Sequence, residues 1–160
     1  MIFITTGTQE PFDRLVKVAD EIAALLPGVI FKVQAFTAQY QATHIDVVNF
    51  MTPLEFEENM KNASLIISHA GMGTIISALV NMKPIIVMPR MMKYKEHRNE
   101  HQFATAKKLD ALQYVDVAYD EYELRSKVLE MWPDKLRCLH QVGKFASQQL
   151  IDSLQTYIKE

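Results

Sequence analysis

The chain has 160 residues, a length that ordinary single domains occupy, and its 49% hydrophobic and 22% charged composition is that of a globular protein able to bury a substantial core. A formal net charge of −2 with scattered basic residues gives no electrostatic case for nucleic acid. One cysteine, Cys138, excludes an internal disulfide framework, and no apolar run approaches the roughly 20 residues that span a bilayer. With no basic leader ahead of Thr5, the expected compartment is the cytoplasm.

Ile2 to Thr5 is a short β-prone run that ends at Gly7. From Phe12, the apolar residues Leu15, Val16, Ala19, Ile22, Ala23 and Leu26 follow the three-and-four spacing of an amphipathic helix, stopped by Pro27-Gly28. Val29 to Phe36 and Ile45 to Met51 read as two further strands. Thr52 is placed to cap a helix with Pro53 in its first position and an end near Asn62. Leu65-Ile66-Ile67 is a buried strand, turned by Gly71-Met72-Gly73-Thr74 into a helix that runs through Met82. Ile85 to Met88 is another buried strand, and Pro89 to Arg98 a polar, basic loop. A helix from Asn99 to about Leu109, a strand over Tyr114 to Val117 and helices from Asp120 and Asp134 complete the order. There is no internal repeat and no linker, so residues 1–160 form one domain.

Strands alternating with helices imply a doubly wound parallel α/β sheet, whose ligands bind beyond the carboxyl ends of the strands. Three segments fall there: Gly7-Thr8-Gln9, Ser68 to Thr74, and Pro89 to Gln102. In the second, two glycines between a buried strand and a helix start allow close backbone approach, and the helix N-terminus suits a phosphate. A bare Gly-x-Gly turn that holds no ligand is an equal reading of those residues, and Thr5 to Gln9 reads slightly better as a plain β–α turn. A dinucleotide fingerprint is excluded, because Ile76 occupies the third small position and Met91-Met92 the place of the acidic residue. Glu96-His97-Arg98-Asn99-Glu100-His101-Gln102 sets two histidines four apart, on one face if helical, but lacks the glutamate and third ligand of a zinc site. Its place beside the crevice favours a functional role over a solvated helix start. No Asp-x-Asp clamp is present, so no metal or cofactor is expected.

Together, Phe3 to Leu15, Ser68 to Ile75, Lys83 to Arg90 and Glu96 to Gln102, in this order and spacing, resemble the stand-alone C-terminal domain of family 28 glycosyltransferases. Two groups share it: PssE-like bacterial exopolysaccharide subunits, and the catalytic subunit of the eukaryotic dolichol-linked N-acetylglucosaminyltransferase. The MurG C-terminal half is related. The resemblance implies a Rossmann-like GT-B C-terminal half that binds UDP-hexose. Its partner would be a membrane-associated, acceptor-binding chain that carries a lipid-linked saccharide and recruits it to the cytoplasmic face of the membrane. Such a hexosyltransferase would act only with that partner. By matching motif, Gly7, Thr8, Gln9, Ser68, Gly71, Met72, Gly73, Thr74, Glu96, Asn99, His101 and Gln102 would contact the donor, with His101 and Gln102 on the sugar. His69 is a candidate base, although the resemblance puts the acceptor side largely on the partner. Ser77 stands where the MurG type holds the ribose with glutamate, a part that Glu96 or Glu100 could take. The alternatives are a non-catalytic enhancer of a partner transferase and a self-sufficient UDP-sugar hydrolase or epimerase. Leu139, Val142, Ala146, Leu150, Leu154 and Ile158 line one side of the C-terminal segment, able to pack on the chain's own sheet or on the partner.

Overall fold

The computed structural model describes residues 1–143 and Phe145. Six strands, β1 (Ile2–Thr5), β2 (Phe31–Gln34), β3 (Val47–Val48), β4 (Leu65–His69), β5 (Ile85–Met88) and β6 (Asp116–Val117), form one sheet in the order β3-β2-β1-β4-β5-β6. Every pairing is parallel. The helices that alternate with them are α1 (Asp13–Leu25), α2 (Pro53–Asn62), α3 (Met72–Val80), α4 (His101–Ala111) and α5 (Glu121–Met131), with a 3₁₀ turn at Met92–Tyr94. This is the doubly wound arrangement, and the strand order reverses between β1 and β4, which makes that boundary the place for a crevice.

The strands are apolar on both faces because helices cover both. Ile2, Ile4, Leu65, Ile67, Ile86 and Met88 point into a core with Leu15, Val16, Ala19 and Ile22 of α1 and Leu124 and Val128 of α5. The alternate residues Phe3, Ile66, Ile85 and Val87 join a second core with Met60 of α2, Ile75, Ala78 and Leu79 of α3 and Ala106 of α4. Helix α2 has the expected bounds. The Thr52 hydroxyl accepts from the Glu55 N–H at 3.3 Å while the Glu55 carboxylate accepts from the Thr52 N–H at 2.7 Å, a reciprocal cap behind Pro53.

Several boundaries differ from those read in the sequence. The second strand is shortened because Val29 closes a turn onto the Leu26 carbonyl. The third shrinks to two residues at the sheet edge, where the Gln34 side-chain amide takes the Asn49 carbonyl at 3.0 Å. β6 likewise begins at Asp116, after the Tyr114 N–H has closed back on Leu109. Helix α3 ends at Val80, two residues early, and Met82 turns left-handed at φ 54°. No helix starts at Asp134: residues 136–143 are irregular, with Leu136 on the first core and Cys138 and Val142 on the second. Through Val142, then, the segment packs on its own domain. Ala146, Leu150, Leu154 and Ile158 lie outside the described residues. Among the described residues, no helix is long and apolar enough to cross a membrane.

Candidate active site

A cleft of about 260 Å³ opens at the switch point, lined by Thr6 to Glu10 after β1, His69, Gly71, Gly73 and Thr74 after β4, and Arg90, His97 and Gln102 after β5. The β1–α1 loop is set from beneath. Thr5 Oγ1 donates to Gln34 Oε1 at 2.6 Å and accepts the Gly7 N–H at 3.2 Å, while Gln34 Nε2 donates to the Gly7 carbonyl at 3.1 Å. Gly7 has φ 78°, and a Cβ there would lie 2.7 Å from His69 Cε1, so both backbone and space call for glycine.

The His69 ring also fills the room over Gly71, where a Cβ would come within 2.2 Å of Nε2. The two glycines and the ring form one packed unit between the β1 and β4 loops. Gly73 is different: a Cβ there would meet nothing within 4 Å, and the position lines the cleft. Gly71 is the N-cap of α3 and no side chain caps that end. The first N–H groups of the helix therefore have no intrahelical acceptor and point with the positive end of the helix dipole toward the cleft.

Arg90, 3% exposed, ties the third loop to the first. Its guanidinium donates to the Thr6 carbonyl at 2.7 Å and to the Glu10 carbonyl, with a longer contact to Pro11 at 3.4 Å, and lies 5.1 Å over the Phe12 ring. Burial pushes its pKa down to about 10, against the pull of Glu10 and Glu96. The Arg90 N–H donates to Gln102 Oε1 at 3.2 Å, which turns the amide NH₂ of Gln102 away from that bond.

His69 Nδ1 is enclosed without a hydrogen-bond partner. Desolvation, with the nearby Arg90 charge, pushes the imidazole down to about 4, so the ring is neutral at physiological pH and a weak base. Between the ordinary value of 6.5 and about 4, the unfolded chain binds a proton at this site that the folded chain does not. Stability from His69 is thus fully present above pH ~6.5 and falls by up to about 3 kcal/mol as the pH drops to 4. In an NMR titration the His69 ring should show a midpoint near 4; a midpoint above 6 would contradict the packed, desolvated ring.

Of the residues singled out in the sequence, Gly7, Thr8, Gln9, His69, Gly71, Gly73, Thr74 and Gln102 line the cleft together. Five do not. Ser68 is fully buried and its hydroxyl donates to the His69 carbonyl at 2.9 Å. Met72 is exposed outside the lining, and Asn99 accepts the His101 N–H at 3.1 Å. That bond starts α4 at His101, two residues later than expected, so His97 lies in the loop and does not share a helix face with His101. Glu96 is not a free ligand: both its oxygens bind Arg14, at 2.7 and 2.8 Å, and one also accepts the Met91 N–H. Thr6, Glu10 and Arg90 line the cleft without having been picked out, and His97, weighed in the sequence only as a possible metal ligand, lines it too. Thr6 and Glu10 flank a loop already selected, and Arg90 and His97 follow a buried strand, where such sheets place their ligands.

The chain belongs to the family described as glycosyltransferase family 28 C-terminal domain, whose model matches residues 1–156. It is 30% identical over 118 residues to the UDP-N-acetylglucosamine transferase subunit ALG13 of Cryptococcus neoformans, covering 71% of this chain and 56% of that protein. It is also 30% identical over 126 residues to the subunit of that name from Mus musculus, covering 67% of this chain and 10% of that one. The chain thus spans about half of the fungal relative and a tenth of the mouse one. Among solved structures it resembles an NMR structure of ALG13 (TM-score 0.56, 19% identity), covering 96% of this chain and 93% of that one. It also resembles Os79 from O. sativa in complex with UDP (TM-score 0.59, 17% identity), covering 84% of this chain and 32% of that one. These likenesses are of fold: a Rossmann-like parallel sheet of the kind found in GT-B glycosyltransferases.

Proposed function

We propose that this chain is the UDP-hexose-binding component of a two-component inverting glycosyltransferase that extends a lipid-linked saccharide in exopolysaccharide or capsule assembly. The observation that carries the reading is the open position at Gly73 beside the uncapped start of α3, at the switch point of the sheet. Backbone N–H groups and a helix dipole there stabilise the diphosphate as negative charge builds on it during transfer, with no metal required. Gln102, its oxygen held by Arg90, offers an NH₂ donor to the hydroxyls of the sugar.

The cleft's size supports a divided site. About 260 Å³ is less than the roughly 300–1,000 Å³ of sites that enclose a whole small ligand, so the cleft takes only part of a UDP-sugar. A membrane-associated partner that binds the lipid-linked acceptor would complete it and hold this chain at the cytoplasmic face. The weak basicity of His69 points the same way: the acceptor hydroxyl needs a base within reach, and the partner is the better source. The exopolysaccharide setting is that of the bacterial group among the two that share the Phe3 to Leu15, Ser68 to Ile75, Lys83 to Arg90 and Glu96 to Gln102 motifs. Weak basicity also favours a second reading, a non-catalytic enhancer of a partner transferase, and nucleotide binding separates the two.

Calorimetric titration of the chain with UDP and UDP-hexoses is the test. Gly73→Val should stay folded, since its side chain enters open space, and lose UDP affinity at least tenfold. Transfer should appear only when the partner is added. No UDP binding by the wild-type chain would leave the enhancer reading, and unchanged affinity in folded Gly73→Val would remove the α3 turn from the site.

A further inference from the structure

The segment from Met92 to Arg98 lies outside the cleft except at His97, and its exposed side chains form an unusual set. Lys93, Lys95 and Arg98 are exposed, and Met92 and Tyr94 are about half exposed between them. The one acidic side chain of the segment, Glu96, is turned inward onto Arg14, so the outward face carries three positive charges. The segment is also held in place. Arg14 grips Glu96 bidentately and lies 4.5 Å under the Tyr94 ring, and Glu100 Oε1 accepts the Met92 N–H at 3.1 Å.

Beside it is a second cavity of about 520 Å³, in which Lys93 and Lys107 are set among the rings of Tyr94, Phe103 and Tyr119. Three carboxylates stand near and keep their charge, each with a neutral donor: Asp120 accepts the Glu123 N–H at 2.8 Å, Asp110 accepts from the Tyr119 hydroxyl at 2.9 Å, and Glu100 accepts the Met92 N–H at 3.1 Å. A chain with net charge −2 still carries a local cationic, aromatic and thioether face at the same end of the sheet as the cleft.

We infer that this face, the 92–98 segment with Lys107, is a contact for an anionic bilayer surface. Lysine and arginine are drawn to such a surface, and tyrosine and methionine beside them suit the headgroup region, where a ring or a thioether can lie with one side wet. The chemistry favours a bilayer over a protein partner because cations predominate, Lys93, Lys95, Arg98 and Lys107 against Glu100 and Asp120, and are spread along the exposed face with apolar side chains between them. Because His97 sits in the same segment and lines the cleft, the contact would set the cleft's edge toward the membrane. The inference does not depend on nucleotide binding.

Co-sedimentation of the full chain at low salt with phosphatidylglycerol-containing vesicles and with pure phosphatidylcholine vesicles tests it. Binding should be confined to the anionic vesicles and be abolished by salt. Each basic group near such a surface gives about a fivefold gain in partition, so K93E/K95E/R98E should lose binding at least tenfold. The neutral K93Q/K95Q/R98Q provides a second variant should the reversed one misfold, and UDP affinity of both should match wild type. Equal partition onto both vesicle types, or undiminished binding by a folded variant, would overturn the inference. Salt-sensitive retention on heparin without vesicle binding would overturn it too, assigning the face to another polyanion.

Discussion

Replacing Arg90 with methionine should lower the stability of the domain by about 3 kcal/mol, since hydrogen bonds from a charged group contribute about 1.5–3 kcal/mol each and the acceptors would be left unmet. The guanidinium serves the buried Thr6 carbonyl and the partly buried Glu10 carbonyl at the edge of the cleft, and the methionine stem offers them nothing. Some of the loss is returned, because burying the cation is itself unfavourable, as its lowered pKa shows. The carbonyls weigh more, being the means by which the 6–11 loop is held over Phe12. Arg90→Lys should rescue little, since a single ammonium lacks the fork that reaches several carbonyls at once. Urea unfolding would show a lower midpoint with an unchanged slope; a loss below about 1 kcal/mol would mean that water serves these carbonyls.

Gly71→Ala should be costly for a different reason, and its cost should depend on His69. The new methyl would fall 2.2 Å from Nε2, and the ring cannot retreat toward Gly7, where the gap is already closed. The ring must swing into the cleft, with an expected loss of about 2 kcal/mol, in the range for forcing extra volume into a packed site. Removing the ring should relieve it: His69→Ala together with Gly71→Ala should show a favourable coupling of about 1–3 kcal/mol, as contacting residues do. Additive losses in that double-mutant cycle would show that the alanine strains the turn itself and not the ring.

These two residues mark the limit of what could be read beforehand. Alternating apolar runs and glycine turns gave the strand order's raw material, and Thr52, Pro53 and Glu55 defined the start of α2 to the residue, because a capping box is local chemistry. The edges of the sheet were overestimated: an apolar, β-prone stretch cannot show where its partner strand stops. Arg90 was passed over as part of a basic loop. Its acceptors lie 79 to 84 positions earlier in the chain, and nothing near Arg90 announces them. Glu96 shows the reverse: its polar neighbours suggest a ligand contact, while the partner it has in the structure, Arg14, lies 82 positions away. At Gly71, where a ligand's close approach and a bare turn are equal readings of the sequence, and at Gly7, the space a Cβ would need is filled by the His69 ring.

Both outer strands of the sheet, β3 and β6, are only two residues long. Each therefore presents too few free N–H and C=O groups to template another strand, the usual protection against edge-to-edge growth. Any second chain that joins the described part of this domain must meet it through helices and loops, where side chains and not backbone pairing decide the fit. Partner choice then becomes a property of surface chemistry, free to diverge while the sheet itself stays unchanged.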